Sequence, residues 1–204
     1  MSESVEPQAS ADHLPDGQIE RWVRQAQGGD LSAFDALVRQ FQKQAVGVAY
    51  RLLNNLDDAM EVSQDALLKS FDKLRTLSRP AQFGPWLLRI VSNLALNRRR
   101  GRALRVAAPL DGTSGEDEDR GDRGLPDTRQ ATPAELASAG EMEEKLQRAL
   151  DTLPEVQRDA LVLFSMGQVP QKEVARMLGC SVEAVKWHVF TARKKLKDIL
   201  KDYL

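Results

Sequence analysis

The chain has 204 residues, of which 42% are hydrophobic and 29% are charged, and its formal net charge is −1. That length fits one large domain or two small ones, and it suffices for a buried core without disulfides. Cys180 is the only cysteine, which excludes a disulfide framework and a thiolate zinc site. No apolar run reaches the roughly 20 residues of a membrane span, and residues 1–17 lack signal-peptide features, so a cytoplasmic protein is expected.

The first unit, residues 18–105, is predicted to be all-helical and to follow a disordered N-terminal segment, residues 1–17. Gly28-Gly29 interrupts the helical pattern, and Asp30 can cap the second helix. The apolar residues that define the first two helices are Ile19, Val23, Ala26, Phe34, Leu37, Val38, Phe41, Ala45, Val48, Ala49, Leu52 and Leu53.

A third helix is predicted to begin at Asp57 or Asp58, after Asn54-Asn55 ends the second. Asp57, Glu61 and Asp65 repeat every four residues and therefore share one helix face. That face is either an acidic docking surface or a plain solvated one, and no nearby histidine supports a metal site. The apolar positions of this helix are Met60, Leu67, Leu68, Phe71 and Leu74.

A fourth helix is predicted from Phe83 to about Arg102, and the block 69–105 around it carries a net charge of +9. Aromatic residues beside arginines suit single-stranded nucleic acid. A solvated, arginine-rich helix end and core packing of Trp86 explain the same residues without DNA. The residues expected to face inward are Trp86, Leu87, Ile90, Val91, Leu94 and Ala95.

Residues 106–134 are rich in glycine, proline and acidic side chains and contain few large apolar ones. Such a segment cannot bury enough apolar surface to offset the entropy lost on ordering. It is predicted to be a flexible acidic linker, and the overall fold class is therefore all-α, with two small helical domains on either side of it.

The second unit, residues 135–204, contains a pattern typical of a helix-turn-helix. A short helix ends at Leu178, Gly179 provides the turn, and Ser181 can cap the following helix. The residues of that helix predicted to face inward are Val185, Val189, Ala192, Leu196 and Ile199. Those predicted to face outward are Glu183, Lys186, Trp187, Phe190 and Lys194, with Thr191 on the flank.

The outward face of this helix combines two aromatic residues with lysines, a composition that suits a DNA groove. The alternative is that Trp187 and Phe190 pack on a neighbouring helix. The basic residues Arg193 and Lys194 are expected to bind phosphates rather than bases. Cys180 and His188 are eight residues apart and do not share a helix face, so no enzyme and no cofactor are expected.

Residues 18–200 resemble a bacterial RNA polymerase sigma factor of the extracytoplasmic-function (ECF) group of the sigma-70 superfamily. The segments that carry the resemblance are Gly29-Asp30 with Ala33-Phe34, Asp58-Ala59-x-Glu61-x-x-Gln64-Asp65, Phe83-x-x-Trp86-Leu87-x-x-Ile90-x-x-Asn93, Leu153-Pro154, Val174-Ala175-x-x-Leu178-Gly179-x-Ser181 and Ala192-Arg193-x-x-Leu196. All of them occur in the family's order and spacing. The chain departs from the family pattern at Trp187, His188 and Thr191.

The resemblance implies three binding surfaces and two partners, core RNA polymerase and promoter DNA. Docking on the β′ clamp helices of the polymerase is implied for Asp58, Glu61, Gln64, Asp65 and Leu68. Capture of the melted −10 element is implied for Phe83, Trp86, Arg89, Asn93, Asn97, Arg98, Arg99 and Arg100. Recognition of the −35 duplex, beside the β flap, is implied for Ser181, Glu183, Lys186, Trp187, His188, Phe190, Thr191, Arg193 and Lys194.

Many relatives are held inactive by an anti-sigma factor, which the resemblance adds as a candidate partner. The rival interpretation is a stand-alone helix-turn-helix regulator. It would explain residues 171–201, but neither the acidic face of the third helix nor the block from Trp86 to Arg105.

Overall fold

The computed structural model describes residues 17–107 and 144–201, and in both stretches all regular secondary structure is helical. The predicted all-α class is confirmed for these residues. Residues 1–16, 108–143 and 202–204 lie outside the described residues, so the predictions for the N-terminal segment 1–17 and for most of the linker 106–134 fall there.

Four long helices form the first unit: α1 (Gln18–Gln27), α2 (Leu31–Leu53), α3 (Leu56–Lys73) and α4 (Phe83–Ala107). Helix α2 packs against each of the other three, and α3 also packs against α4. Short 3-10 turns connect α3 to α4. Helix α4 continues five residues beyond its predicted end and two residues into the predicted linker.

The helix boundaries of the first unit follow from local capping chemistry. Asp30 accepts hydrogen bonds from the amides of Ser32 (2.9 Å) and Ala33, as the sequence predicts for the cap of α2. Helix α3 is capped instead by Asn55, whose side chain accepts from the amide of Asp58 at 2.8 Å. The third helix therefore starts earlier than the aspartates suggest.

The second unit contains a helix over residues 144–151, here α5, followed by α6 (Glu155–Leu161), α7 (Gln171–Leu178) and α8 (Val182–Ile199). A π-helical turn, Val162–Met166, extends α6. Gly179 has φ +66° after α7, and the Ser181 hydroxyl accepts from the amide of Ala184 at 3.1 Å to cap α8. The predicted helix-turn-helix is confirmed, with its turn glycine and its cap.

The two units pack against each other. Helix α2 contacts the π-helical turn of the second unit, and the buried apolar side chains of both units form one continuous cluster. A β-carbon added at Gly167 would lie 3.2 Å from the Ser92 hydroxyl of α4. Helix α4 therefore lies between the core of its own unit and the second unit.

Two glycines of α4 give matched substitutions with opposite expected effects. A β-carbon at Gly84 would lie 2.7 Å from Cε1 of the buried Phe41 ring, whereas one at Gly101 would meet nothing within 4 Å. We expect Gly84→Ala to lower the free energy of unfolding by about 1–3 kcal/mol through overpacking. Gly101→Ala should raise it by up to about 1 kcal/mol through helix propensity. Urea unfolding measures the free energy of unfolding of both variants. Equal changes in the two variants would contradict the close packing of Phe41 against Gly84.

Candidate polymerase and nucleic-acid interfaces

The acidic face of α3 is exposed because small residues form the opposite, buried face of the helix. The buried residues are Ala59, Val62, Ser63, Ala66 and Ser70. Glu61, Gln64, Asp65 and Leu68 are exposed, with 66% of Leu68 accessible, whereas Asp58 is half-buried. The structure thus brings the predicted docking residues onto one surface, with an exposed apolar residue among the acids.

Two further exposed apolar residues, Met60 and Phe71, lie on α3. Sequence reasoning gave them no site role. The sequence feature that could have identified them is the spacing of the alanines and serines, which already fill the inward positions of α3. Met60 and Phe71 lie outside those inward positions and are exposed, whereas Leu67 packs against the core.

Arg98 of α4, predicted to contact DNA, binds the acidic face of α3 instead. Its guanidinium lies 2.7 Å from a carboxylate oxygen of Asp58 and 2.6 Å from one of Glu61. Arg102 lies 3.5 Å from Asp58. The hydrogen bond from Arg98 lowers the pKa of Glu61, and the same bond raises the pKa of Arg98. Arg98 therefore ties the predicted docking helix to the predicted −10 helix.

Removal of Arg98 gives a titration test of this contact. We expect Arg98→Ala to raise the pKa of Glu61 toward its ordinary value of 4.5, because the carboxylate loses its hydrogen-bond donor. Since the folded pKa of Glu61 is depressed, its contribution to stability is present above the unfolded pKa and is lost as pH falls through the folded pKa. NMR titration of the Glu61 carboxyl measures the shift. Arg24→Ala, which removes the partner of Glu20 on α1, is the control and should leave Glu61 unchanged.

Phe83 and Trp86, both predicted at the −10 site, differ in exposure. Phe83 is fully buried. The centre of its ring lies 5.3 Å from the centre of the Phe41 ring and 5.9 Å from that of the Trp86 ring. The structure assigns Phe83 to the core, so its predicted DNA contact is corrected here. Trp86 is half-buried and packs against the core, in agreement with the core alternative for that residue.

The remaining polar residues of α4 form a stripe at helical spacing. Arg89, Asn93, Asn97 and Arg100 are exposed and follow one another at intervals of four, four and three residues. The Asn93 amide donates to the Arg89 carbonyl at 3.0 Å. These four residues, together with the partly exposed Arg99, are here called the α4 polar face.

The second unit contacts this α4 polar face at three arginines. Arg89 lies 3.1 Å from a carboxylate oxygen of Glu173. Arg99 forms a two-pronged ion pair with Asp159 and lies 3.1 Å from Glu155. Arg100 donates to the carbonyl of Met177.

Helix α8 places its predicted outward residues in solvent. Glu183, Lys186 and Lys194 are exposed, as are Trp187 (57%) and Phe190 (69%). The alternative that the aromatics pack on a neighbouring helix does not hold within the described residues. The inward residues Val185, Val189 and Ala192 are buried as predicted, but Ile199 is 44% exposed because the helix runs past the core there.

Three other residues predicted at the −35 site differ in exposure. His188 and Thr191 are half-buried, whereas Arg193 is exposed. Arg193 donates to the Ser165 hydroxyl at 3.0 Å, and its guanidinium lies 5.8 Å from the centre of the Phe164 ring. These contacts hold Arg193 on the second unit.

The parts of the chain that the structure describes contain no group of three or more His, Cys, Asp or Glu residues that could hold a metal ion. In the same parts, no helix is both long and apolar enough to cross a membrane.

A helix-turn-helix unit packed on a helical unit that carries an exposed acidic helix face and an arginine-rich helix is typical of a DNA-binding transcription factor. Residues 37–105 match the family model for sigma-70 region 2, and residues 143–196 match that for sigma-70 region 4. The chain belongs to the sigma-70 family, as an ECF RNA polymerase sigma factor, and it directs promoter-specific transcription initiation.

Known proteins of the family align over most of the chain. The RNA polymerase sigma-H factor of Pseudomonas aeruginosa is 30% identical over 193 residues, which are 94% of this chain and 98% of that protein. The ECF RNA polymerase sigma factor SigE of Mycolicibacterium smegmatis is 32% identical over 172 residues, 83% of this chain and 62% of that protein.

A solved structure has the same fold. The sigma factor RpoE of Bartonella quintana, determined in complex with the anti-sigma factor NepR, has a TM-score of 0.51 and 22% identity. The match covers 82% of this chain and 96% of that one.

Proposed function

We propose that the two units divide promoter recognition between them, with polymerase docking and −10 binding in residues 18–105 and −35 binding in residues 135–204. The observation that carries this proposal is the exposure of Glu61, Gln64, Asp65 and Leu68 on α3, on a different helix from the exposed aromatic face of α8. A stand-alone helix-turn-helix regulator does not require an exposed acidic and apolar surface outside its DNA-binding unit.

The α3 surface is proposed to bind the β′ clamp helices of core polymerase. Leu68, Met60 and Phe71 supply exposed apolar area, and Glu61 and Asp65 supply charge that selects a basic partner. Asp58 is proposed to act through Arg98 and to position the surface, because its side chain is only 21% exposed. Glu61 contacts the same guanidinium but is 59% exposed and so remains accessible to a partner.

Single-stranded −10 DNA is the proposed ligand of the α4 polar face. Arginines there can bind phosphates, and the amides of Asn93 and Asn97 can hydrogen-bond the edges of unpaired bases. Opening duplex DNA costs about 1.4 kcal/mol per base-pair step in lost stacking, which one helix cannot supply for a bubble. The factor therefore depends on core polymerase to hold the strands apart.

The exposed face of α8 is proposed to enter the major groove at the −35 element, with Trp187 and Phe190 as apolar contacts and Lys186 and Lys194 on phosphates or base edges. The second unit would also touch the β flap. An anti-sigma factor is a further candidate partner, because the sigma factor RpoE of Bartonella quintana was solved with one. The protein itself is proposed to catalyse no reaction and to act in the cytoplasm, with its polymerase.

The test is reconstitution with core polymerase. The purified chain, mixed with core enzyme and a library of promoter fragments, is expected to bind core and to give transcripts from a defined subset of promoters. Tight binding of duplex DNA without polymerase, combined with no core binding, would instead identify a stand-alone regulator.

A further inference from the structure

The segment that joins α3 to α4, residues 74–82 and here called the connector, depends on α1 for its position. It contains two 3-10 turns, Leu74–Thr76 and Pro80–Gln82, each a single turn long. Turns this short have few hydrogen bonds of their own and are stabilised mainly by tertiary contacts. Both turns contact α1. The conformation of the connector is therefore set by a neighbouring helix.

Gln27, the last residue of α1, makes the polar part of this contact. Its side-chain amide donates to the carbonyl of Leu74 at 2.9 Å and to that of Leu77 at 3.0 Å. A primary amide carries two N–H groups, so these two hydrogen bonds use both donors. The side chains of Leu74 and Leu77 are themselves buried. One side chain thus fixes two carbonyls of the connector, 47 and 50 residues further along the chain.

The local sequence explains why Gln27 faces the connector. Val23 and Ala26 form the buried face of α1, and Gln27 follows Val23 by four residues, so it lies at the edge of that face. Gly29 then adopts φ +101°, which allows the chain to turn into α2. The exposed Gln25, two residues before Gln27, lies on the other side of the helix.

The connector leads directly into the surface proposed for −10 DNA. Its second 3-10 turn ends at Gln82, and α4 begins at the next residue. Gln82 is exposed and lies seven residues, about two helical turns, before Arg89 of the α4 polar face. Arg79, three residues before Gln82, is exposed as well. A guanidinium and an amide here extend the α4 polar face with groups that bind the phosphates and base edges of a single strand.

We propose that Gln27 is a positioning residue for −10 recognition, which holds the connector so that Arg79 and Gln82 continue the α4 polar face. The inference rests on the proposed function, because it takes the −10 role of α4 from there. Gln27 itself need not touch DNA, because both of its N–H groups bond the connector. A −10 strand then meets polar groups that are already in place, which lowers the cost of ordering them on binding.

The binding test compares two substitutions of similar shape that add the same charge to α1. Gln27→Glu replaces the two donors with a carboxylate, which only accepts hydrogen bonds and repels the two carbonyls. Gln25→Glu is the control, because Gln25 is exposed. The probe is a fluorescent single-stranded −10 oligonucleotide, with its sequence taken from promoters that the wild-type holoenzyme selects. It is added to the full-length chain in complex with core polymerase.

The Gln27→Glu variant is expected to bind this oligonucleotide about tenfold more weakly than wild type, and the control within about twofold, as is typical of coupling within one hydrogen-bond network. Its affinities for core polymerase and for −35 duplex should be unchanged, because neither α3 nor α8 uses the connector. Gln27→Lys restores N–H donors and is expected to bind the oligonucleotide as tightly as Gln25→Lys, which adds the same charge. Gln82→Ala should weaken −10 binding in the wild-type background and have no further effect beside Gln27→Glu.

Amide hydrogen exchange follows the connector without DNA. The backbone amides of Leu77 and Gln82 donate within the connector, at 3.1 Å and 2.9 Å. Both are expected to exchange about fivefold faster or more in the free Gln27→Glu variant than in Gln25→Glu. The amide of Ala59, at the start of α3, should exchange at the same rate in both variants. If Gln27→Glu proves unfolded by circular dichroism, Gln27→Met, which removes both donors without adding charge, replaces it beside Gln25→Met.

Equal −10 affinity of the position-27 variant and its control would overturn this inference, and so would a loss that Gln27→Lys does not recover. Unchanged exchange of the Leu77 amide, or an equal loss of core affinity, would also overturn it. None of these results affects the proposed function. That function fails only if the wild-type chain with core polymerase gives no promoter-dependent transcripts.

Discussion

The Glu61→Lys and Asp65→Lys double variant is expected to bind core polymerase about 100-fold more weakly and to abolish transcription at ordinary protein concentrations. Each substitution reverses one charge on the exposed face of α3, and close charge pairs in protein interfaces contribute about 1.5 kcal/mol or more each. Two such losses amount to about 3 kcal/mol, or two orders of magnitude in the dissociation constant. Binding to labelled core enzyme measures the loss directly.

The matched control for this prediction is Glu20→Lys with Glu144→Lys. It changes the net charge by the same amount on partly exposed carboxylates of α1 and α5, away from α3. Glu61→Lys also removes a partner of Arg98. The Glu61→Gln and Asp65→Asn double variant therefore separates the effect of charge reversal from the effect of losing that contact. Its affinity for core polymerase should be intermediate. If the lysine variant binds core as tightly as its control, α3 is not the docking surface.

The features that sequence alone predicted correctly are local ones. Asp30 and Ser181 cap their helices, and Gly179 turns the chain, because each of these requirements is set by a few neighbouring residues. The exposed face of α8 was predictable for the same reason, since helical periodicity alone separates Val185 and Val189 from Trp187 and Phe190.

The features that sequence missed depend on distant contacts. Leu88 and Leu96 of α4 are buried, although the residues predicted to face inward did not include them. Arg99 and Asp159 are 60 residues apart, and nothing in the spacing of either residue identifies the other as its partner. Phe83 was assigned to DNA from its place in a motif, whereas its depth in the core depends on Phe41 of another helix.

Removal of the two exposed aromatics of α8 is expected to weaken binding of −35 duplex by about 10- to 100-fold without loss of stability. Trp187 and Phe190 lie one turn apart and expose 57% and 69% of their surfaces in the free chain. If the groove covers on the order of 100 Å² of apolar area between them, at about 25 cal/mol per Å², the Trp187→Ala and Phe190→Ala double variant loses about 2.5 kcal/mol. The thermal midpoint should change little, because more than half of each side chain is exposed in the folded protein.

The measurement is binding of duplex fragments that carry a −35 element, selected with the wild-type holoenzyme. Val156→Ala with Ile199→Ala is the control, because it truncates two exposed apolar residues of the same unit that lie outside the predicted groove face. A loss confined to the aromatic variant assigns the groove contact to Trp187 and Phe190. Equal affinity of both variants for the −35 duplex would indicate that Lys186, Lys194 and the N-terminal cap of α8 make the recognition contacts. In that case the aromatics would instead provide an apolar surface for polymerase, and the aromatic variant would lose core affinity while it retained −35 affinity.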